Sequence, residues 1–431
     1  MCKNTPSRRK IIRDSYLSLI FYSIMVSVVC SVLAYCLKHA TEYFQELLFE
    51  RIEEINPLLF IIFPSIGITA IYFLRKYLFK NRKNKGIKEI YTTLGNRKDH
   101  LPFYKVPSHI INGFLTVIFG GSTGVEVSTV VAGATVGNQT YKLNKSARAF
   151  KTELICAAVA AGVTVLFGSA LGGLLFVLEV IARRSSKTLL VSCGISTLTA
   201  FIFVSLFDST PLISIPVQDW HLSALPFILI LAILSGLMSL YFTKIVIYAK
   251  HYFSNIQNNF LRVNIGAITV GILIHFLHHI YGDSYHGLKE ILNQSLTSAD
   301  HLILIMPLIL LIFLKPLASA LTLGAGGDGG VFAPSIVTGA FLGILVALLS
   351  NYCFGTELIV LNFALFGAVS MLSASIHAPF AALFIVCNLA PNGFVLIVPL
   401  LLASLVAKSL AKKLYPYNVY TYPDKVAVIN N

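Results

Sequence analysis

The chain has 431 residues, of which 56% are hydrophobic and only 12% charged, with a mean hydropathy of +0.77. A soluble domain carries about twice that charge density, and no core of this size hides so much apolar surface while keeping a solvated exterior. The formal net charge of +14 does not describe a nucleic-acid face, because the basic residues cluster between apolar runs, as cytoplasmic loops of a membrane protein do. The expected partner is the lipid bilayer, not nucleic acid.

In chain order, Lys3, Arg8, Arg9, Lys10 and Arg13 precede an apolar run from Tyr16 to Leu37. The run is too long for a signal peptide and lacks a small-residue cleavage site, so it reads as a first membrane helix with a cytoplasmic N-terminus. The segment from Glu42 to Glu54 sets five glutamates against Arg51 and reads as an outer loop. The apolar stretch Leu58 to Leu74 leads back to a basic segment from Arg75 to Lys105, so the order is inside, outside, inside. Both termini are expected in the cytoplasm. Together with Cys2, the loose basic N-terminus points to a bacterial inner membrane. The seven cysteines (Cys2, Cys30, Cys36, Cys156, Cys193, Cys353, Cys387) form no CxxC and read as buried packing residues.

Further along, residues 359–407 contain 49 consecutive uncharged positions, enough for more than one span of about 20 residues. Ser375-Ile376-His377-Ala378-Pro379 and Ala390-Pro391-Asn392-Gly393 interrupt them with helix breakers. Helices must therefore start and stop at membrane depth, which is tolerated only where backbone is buried in protein or lines a polar cavity. Such interrupted segments are a pointer to a transport site.

Two motif pairs repeat in the same order. Gly120-Gly121-Ser122-Thr123 leads into Gly124-Val125-Glu126-Val127-Ser128, and Gly324 to Gly329 leads into Gly330-Val331-Phe332-Ala333-Pro334, with Gly330 lying 206 positions after Gly124. Ser169 to Glu179 and Ala378 to Asn388 share a pattern at an offset of 209. Two structurally similar halves are expected, about 12–207 and 222–428, within one transmembrane domain spanning 1–428. A glycine run that turns into a helix N-terminus aims several N–H groups and the positive dipole end at one place. Two such termini meeting at mid-membrane make an anion site without a full charge, from which the ion can also leave. The alternative is that the glycines serve close helix packing.

Glu126 is the only charge between Gly113 and Thr140. A carboxylate in the first turn of a helix is stabilised by the dipole, so it can occupy an anion site and swing out when protonated. An intramembrane ionisable group is a functional candidate by default. Asp328, in the second Gly-rich turn, is expected to cap the helix that follows. His275 and His279 stand four apart near His278 and His286, yet only Asp283 is placed to join them, so no metal is expected. No cofactor motif is present. From the residues alone, Tyr420 reads as an interfacial anchor beside Tyr415, Tyr417 and Tyr422, and Phe332 as a packing aromatic.

With these residues in place the chain resembles the CLC family of chloride channels and chloride/proton antiporters, over roughly residues 12–428. The family's G-S-G-I-P corresponds to Asn84-Lys85-Gly86-Ile87-Lys88, its G-[KR]-E-G-P to Gly124-Val125-Glu126-Val127-Ser128, and its G-x-F-x-P to Gly330 to Pro334. The resemblance implies an all-α polytopic fold, an inverted repeat of two halves with broken and re-entrant helices, paired as a homodimer. It implies Glu126 as the gating and proton-accepting residue. Lys85, Gly86, Ile87, Val331, Phe332, Ala333 and Tyr420 are then the anion-binding set.

The departures from the pattern are informative. Lys85 replaces a serine, and either strengthens anion binding by its charge or snorkels towards the cytoplasm. Val125, Val127 and Ser128 replace the residues flanking the glutamate. The inward proton-relay acid of the antiporters is Val180, which carries no proton, while Glu179 matches the neighbouring structural acid. Asn388 stands where the second half often has a glutamate. The expected function is passive chloride conduction gated by a protonatable glutamate. Chloride/proton exchange, or selectivity for fluoride or nitrate, is the alternative. An enzyme, for which no HExxH, GxSxG or paired intramembrane carboxylates are present, a cation transporter with several buried acids and a scaffold are disfavoured. No soluble regulatory domain is expected after the last helix.

Overall fold

The computed structural model describes residues 8–79, 84–96, 98–143, 145–182, 184–297 and 302–422. Cys2, Lys3, Lys80, Arg82, Lys83, Arg97 and the end of the expected domain lie outside the described residues.

The first helix corrects the sequence reading. α1 (Arg8–Ile55) runs unbroken for 48 residues, so the acidic segment expected as a loop is its last turns. Nothing from Tyr16 to Ile55 is glycine or proline; Asn56-Pro57 ends it, since the residue before proline is pushed out of the helical region. At 1.5 Å per residue the helix is about 72 Å long, more than twice a hydrocarbon layer of about 30 Å. Its acidic end continues past the apolar layer and is held by Phe49, which lies 5.3 Å from the rings of both Phe60 and Tyr281.

A 3-10 turn (Pro57–Ile61) leads into α2 (Phe63–Tyr77). There follow α3 (Ile87–Gly95), α4 (Lys105–Ile118), α5 (Glu126–Leu143), α6 (Lys151–Phe167), α7 (Ala170–Phe176) and α8 (Lys187–Phe207). After a non-helical connection come α9 (Leu225–Ser254), α10 (Asn259–Phe276), α11 (Tyr285–Thr297) and α12 (Leu302–Ala325). The last four are α13 (Phe332–Phe354), α14 (Val360–Ile376), α15 (Pro379–Cys387) and α16 (Ile397–Leu414). Among the described residues seven helical segments are long and apolar enough to cross a membrane. The expected breaks are present: α14 stops at His377 (φ 58°), α15 starts at Pro379, and Asn392 (φ 61°) turns the chain towards α16.

Burial sorts the helices into two shells. Every residue of α14 is buried, and α5, α6 and α13 are nearly as enclosed. A helix apolar all round belongs inside. The outer helices show large apolar side chains instead: Phe21 and Val28 on α1, Leu198 and Ile202 on α8, Ile230 and Leu237 on α9, Ile303 and Met306 on α12. Contiguous apolar surface on this scale suits lipid, not water. Cys36 and Cys353 are also exposed, contrary to the expectation of buried packing, whereas Cys30, Cys156, Cys193 and Cys387 are buried; these six are free thiols.

Inner helices approach closely through glycine. A methyl group on Gly339 (α13) or Gly367 (α14) would strike the carbonyl oxygen of the other, so the two backbones touch as small residues allow. Gly367→Val is expected to abolish the monodisperse peak of the purified protein in size-exclusion chromatography. Gly194→Ala on α8, where a methyl meets nothing, leaves that peak in place.

Candidate functional site

The two Gly-rich turns meet. Gly124 and Gly330 form an isolated antiparallel bridge, with the Gly330 N–H donating to the Gly124 carbonyl at 3.1 Å. A side chain on Gly124 would overlap the Glu126 carboxylate, and one on Gly330 would overlap Val127. The bridge therefore brings the starts of α5 and α13 together because neither turn carries a Cβ at the junction.

Glu126 opens α5 and is only 4% exposed. Its Oε1 accepts a hydrogen bond from the Tyr285 hydroxyl at 3.4 Å, and its Oε2 is buried without a hydrogen-bond partner. On the side of the acidic end of α1, a cavity of about 680 Å³ reaches Glu126, lined also by Lys38, Glu42, Asp208, Asp283 and Lys289. Lys38 pairs with Asp208 at 2.7 Å. Asp283, in the turn before α11, accepts from the Tyr285 backbone N–H at 3.1 Å and from Gln45 at 3.3 Å. Burial pushes its carboxyl above the ordinary range, against the opposing pull of those hydrogen bonds.

On the other side of Glu126 the remaining candidates converge. Val331, Phe332 and Ala333 are buried at the start of α13, where backbone N–H groups lack intrahelical partners. The Val331 N–H donates to the Tyr420 hydroxyl at 3.4 Å, and the rings of Phe332 and Tyr420 lie 6.2 Å apart. Tyr420 is buried, not an interfacial anchor. Gly86 (φ +61°) precedes α3, and a Cβ there would sit 3.5 Å from Val127; one on Gly330 would sit 3.5 Å from the Tyr420 oxygen. Val127 is thus enclosed by the start of α3, the start of α13 and the surroundings of Tyr420, with Ile87 buried. Lys85 alone of the candidates is exposed; its N–H donates to Glu89 Oε1 at 2.5 Å, and that oxygen also accepts from Lys105 at 2.9 Å.

Val180 follows Glu179 in a π-turn (Val177–Ile181), and its carbonyl accepts the Tyr91 hydroxyl at 2.9 Å. Glu179 closes the start of α15, accepting the Ala381 N–H at 2.8 Å and the Phe380 N–H at 3.4 Å. Asn388 does the reciprocal job at α7. Its amide donates to Ser169 Oγ at 3.0 Å, and that oxygen accepts the Gly172 N–H at 3.1 Å.

One expectation fails here. Asp328 does not cap α13, whose N-cap is Val331 with no side-chain bond. It instead accepts from Asn84 at 2.5 Å and faces Arg75 at 3.6 Å and His109 at 3.5 Å, because the partly buried guanidinium on α2 needs a counter-charge. The pair His275 and His279 does not share a helix face: α10 ends at Phe276, and His275 Nδ1 sits 3.2 Å from the Pro57 carbonyl.

Sequence reasoning also missed Lys315, which is fully buried in α12. Its ammonium donates to Ser122 Oγ at 2.8 Å, to the Gly282 carbonyl at 2.9 Å and to Ser284 Oγ at 2.7 Å. The signal was available, since Lys315 is the only charge from Leu302 to Ala325.

Residues 66–412 match the family model of voltage-gated chloride channels. The chain belongs to this family, the CLC family. It is a multi-pass membrane protein of CLC-type anion transport. It is 26% identical over 375 residues to the H(+)/Cl(-) exchange transporter ClcA of Citrobacter koseri, covering 83% of this chain and 76% of that one. With ClcA of Vibrio vulnificus it shares 24% over 416 residues, 90% of this chain and 85% of the relative. Among solved structures, a slow cyanobacterial Cl-/H+ antiporter superposes with a TM-score of 0.79 at 22% identity, covering 96% of this chain and 99% of that one. A CLC-type fluoride/proton antiporter gives 0.75 at 21%, covering 96% and 98%. These likenesses establish the all-helical CLC fold.

Proposed function

We propose that this CLC protein conducts chloride passively along the line from the outer cavity past Glu126 to Tyr420 and the start of α13, with Glu126 as a protonatable gate. The observation that carries the reading is the junction of the two Gly-rich turns. On this reading it aims the start of α13, with the N–H groups of Phe332 and Ala333, and the Tyr420 hydroxyl that accepts the Val331 N–H at the ground below a buried carboxylate. Ionised, Glu126 competes with the anion for the positive ends of the helices; protonated, it has no claim on them. Gly86 and Ile87 add the start of α3 from the other flank. Lys85 acts at most through its field, because its side chain is exposed.

The chain is read as two halves, about 12–207 and 222–428, joined at the Gly124–Gly330 bridge. The mirrored roles of Glu179 at α15 and Asn388 at α7 support that division. The acidic end of α1 is assigned to the outside, the termini to the cytoplasm of a bacterial cell, and the assembly to a homodimer. Absence of coupling rests on Val180, which offers no titratable group at the inward position. Chloride/proton exchange is the second reading, favoured by the likeness to the H(+)/Cl(-) exchange transporters of Citrobacter koseri and Vibrio vulnificus.

Replacing Tyr420 by phenylalanine removes one neutral hydrogen-bond donor, worth about 1 kcal/mol, and is expected to weaken chloride binding about fivefold. Isothermal calorimetry on the purified protein checks this; an unchanged affinity would return Tyr420 to a packing role.

A further inference from the structure

We infer that His278, His279 and Glu290 form a site for a divalent transition metal of the zinc class on the outer face, and that filling it slows anion passage. The two histidines occupy the 3-10 turn His278–Ile280, and Glu290 lies on α11. One donor atom from each of the three lies within 4.8 Å of the others. His279 Nε2 and Glu290 Oε2 are 3.3 Å apart, the edge of a tetrahedron with zinc–ligand bonds of about 2.0–2.1 Å. His279 Nδ1 is nevertheless buried without a hydrogen-bond partner, while Nε2 faces the Glu290 carboxylate. Buried polar atoms are rarely left so, and a metal ion satisfies them. His278 stacks on His279 at 4.4 Å and is exposed, so its ring is the part that moves to close the set. His286, one turn before Glu290 on α11, packs on Phe49 as His278 does, and it or a water takes the fourth position. Two imidazoles and one carboxylate suit zinc; calcium or magnesium would demand more oxygen donors.

The site reaches the pathway through α11. The first residue of that helix is Tyr285, whose hydroxyl holds Glu126 Oε1. A metal bridging the 278–280 turn to Glu290 pins α11 and keeps Tyr285 on the carboxylate. The inhibitory part rests on the reading of Glu126 as gate, so binding and flux are measured separately.

The experiment titrates the purified full-length protein with zinc chloride by calorimetry and then measures chloride efflux from proteoliposomes with external zinc. The expected result is a single saturable site per chain, weakened at least about tenfold by His279→Ala and by Glu290→Gln, two variants that each remove one of the few ligands on which zinc affinity depends. His275→Ala, whose ring lies against Pro57, leaves it intact. Zinc then slows efflux of the wild type but not of Glu290→Gln or Glu126→Gln. No saturable binding, or equal binding in the ligand variants, overturns the site. Binding lost in the variants while wild-type efflux ignores zinc overturns the inhibition. An unaltered pH profile in Glu126→Gln without zinc identifies the gate reading as the part that failed.

Discussion

Glu126→Gln is expected to pass chloride at a rate that no longer changes with pH, whereas the wild type speeds up as pH falls. The amide keeps the shape of the protonated carboxyl and carries no charge to place at the start of α5. A single titrating gate changes flux by up to about tenfold per pH unit on its sloping limb, so the contrast is large. Tyr285 still has an oxygen to donate to in the variant, and the local packing is preserved. Chloride efflux from proteoliposomes buffered across acid and neutral pH reads the effect. A variant whose profile follows the wild type would remove Glu126 from the gate.

The second large effect is structural. Lys315→Met keeps most of the apolar stem but deletes a buried ammonium that three oxygens from two segments share. Ser122, the Gly282 carbonyl and Ser284 then lie at the centre of the protein with one partner fewer. The expected loss is about 3 kcal/mol, since charged hydrogen bonds contribute more than neutral ones and stranded buried groups keep their desolvation cost. Thermal unfolding in detergent is expected to begin at clearly lower temperature. Because Ser122 sits in the turn that delivers Glu126, the Gly124–Gly330 junction is also expected to loosen, with chloride binding weakened in the fraction that remains folded. A variant as stable as the wild type would mean that Lys315 is neutral or dispensable in its pocket.

What could be read from the sequence follows from where the physical signal is local. The junction of the Gly-rich turns was legible because it repeats at a fixed offset, and the breaks around His377 and Asn392 because proline and glycine enforce them nearby. The continuity of α1 was equally local. Forty residues from Tyr16 to Ile55 without glycine or proline argue for one helix, but charge was allowed to outweigh backbone chemistry there. Asp328 was placed wrongly for another reason. Its partners Asn84, Arg75 and His109 come from stretches more than 200 residues away, and in the sequence Arg75 is one of many charges in a basic segment. The role of Asn388 needed the same long-range contact, since only the packing of α7 on α15 puts its amide on Ser169. The His278, His279 and Glu290 trio is half local: adjacent histidines are visible, but the glutamate reaches them only because the turn before α11 folds back.

We propose that chloride crosses without obligatory proton movement, on the reading of Val180 as the inward relay position. The most direct test is the reversal potential of the purified protein in planar bilayers, with the chloride gradient held fixed while a pH gradient is imposed. The expected potential stays at the chloride equilibrium value throughout. A potential that moves with the pH gradient would contradict it, and would require a proton route that bypasses Val180.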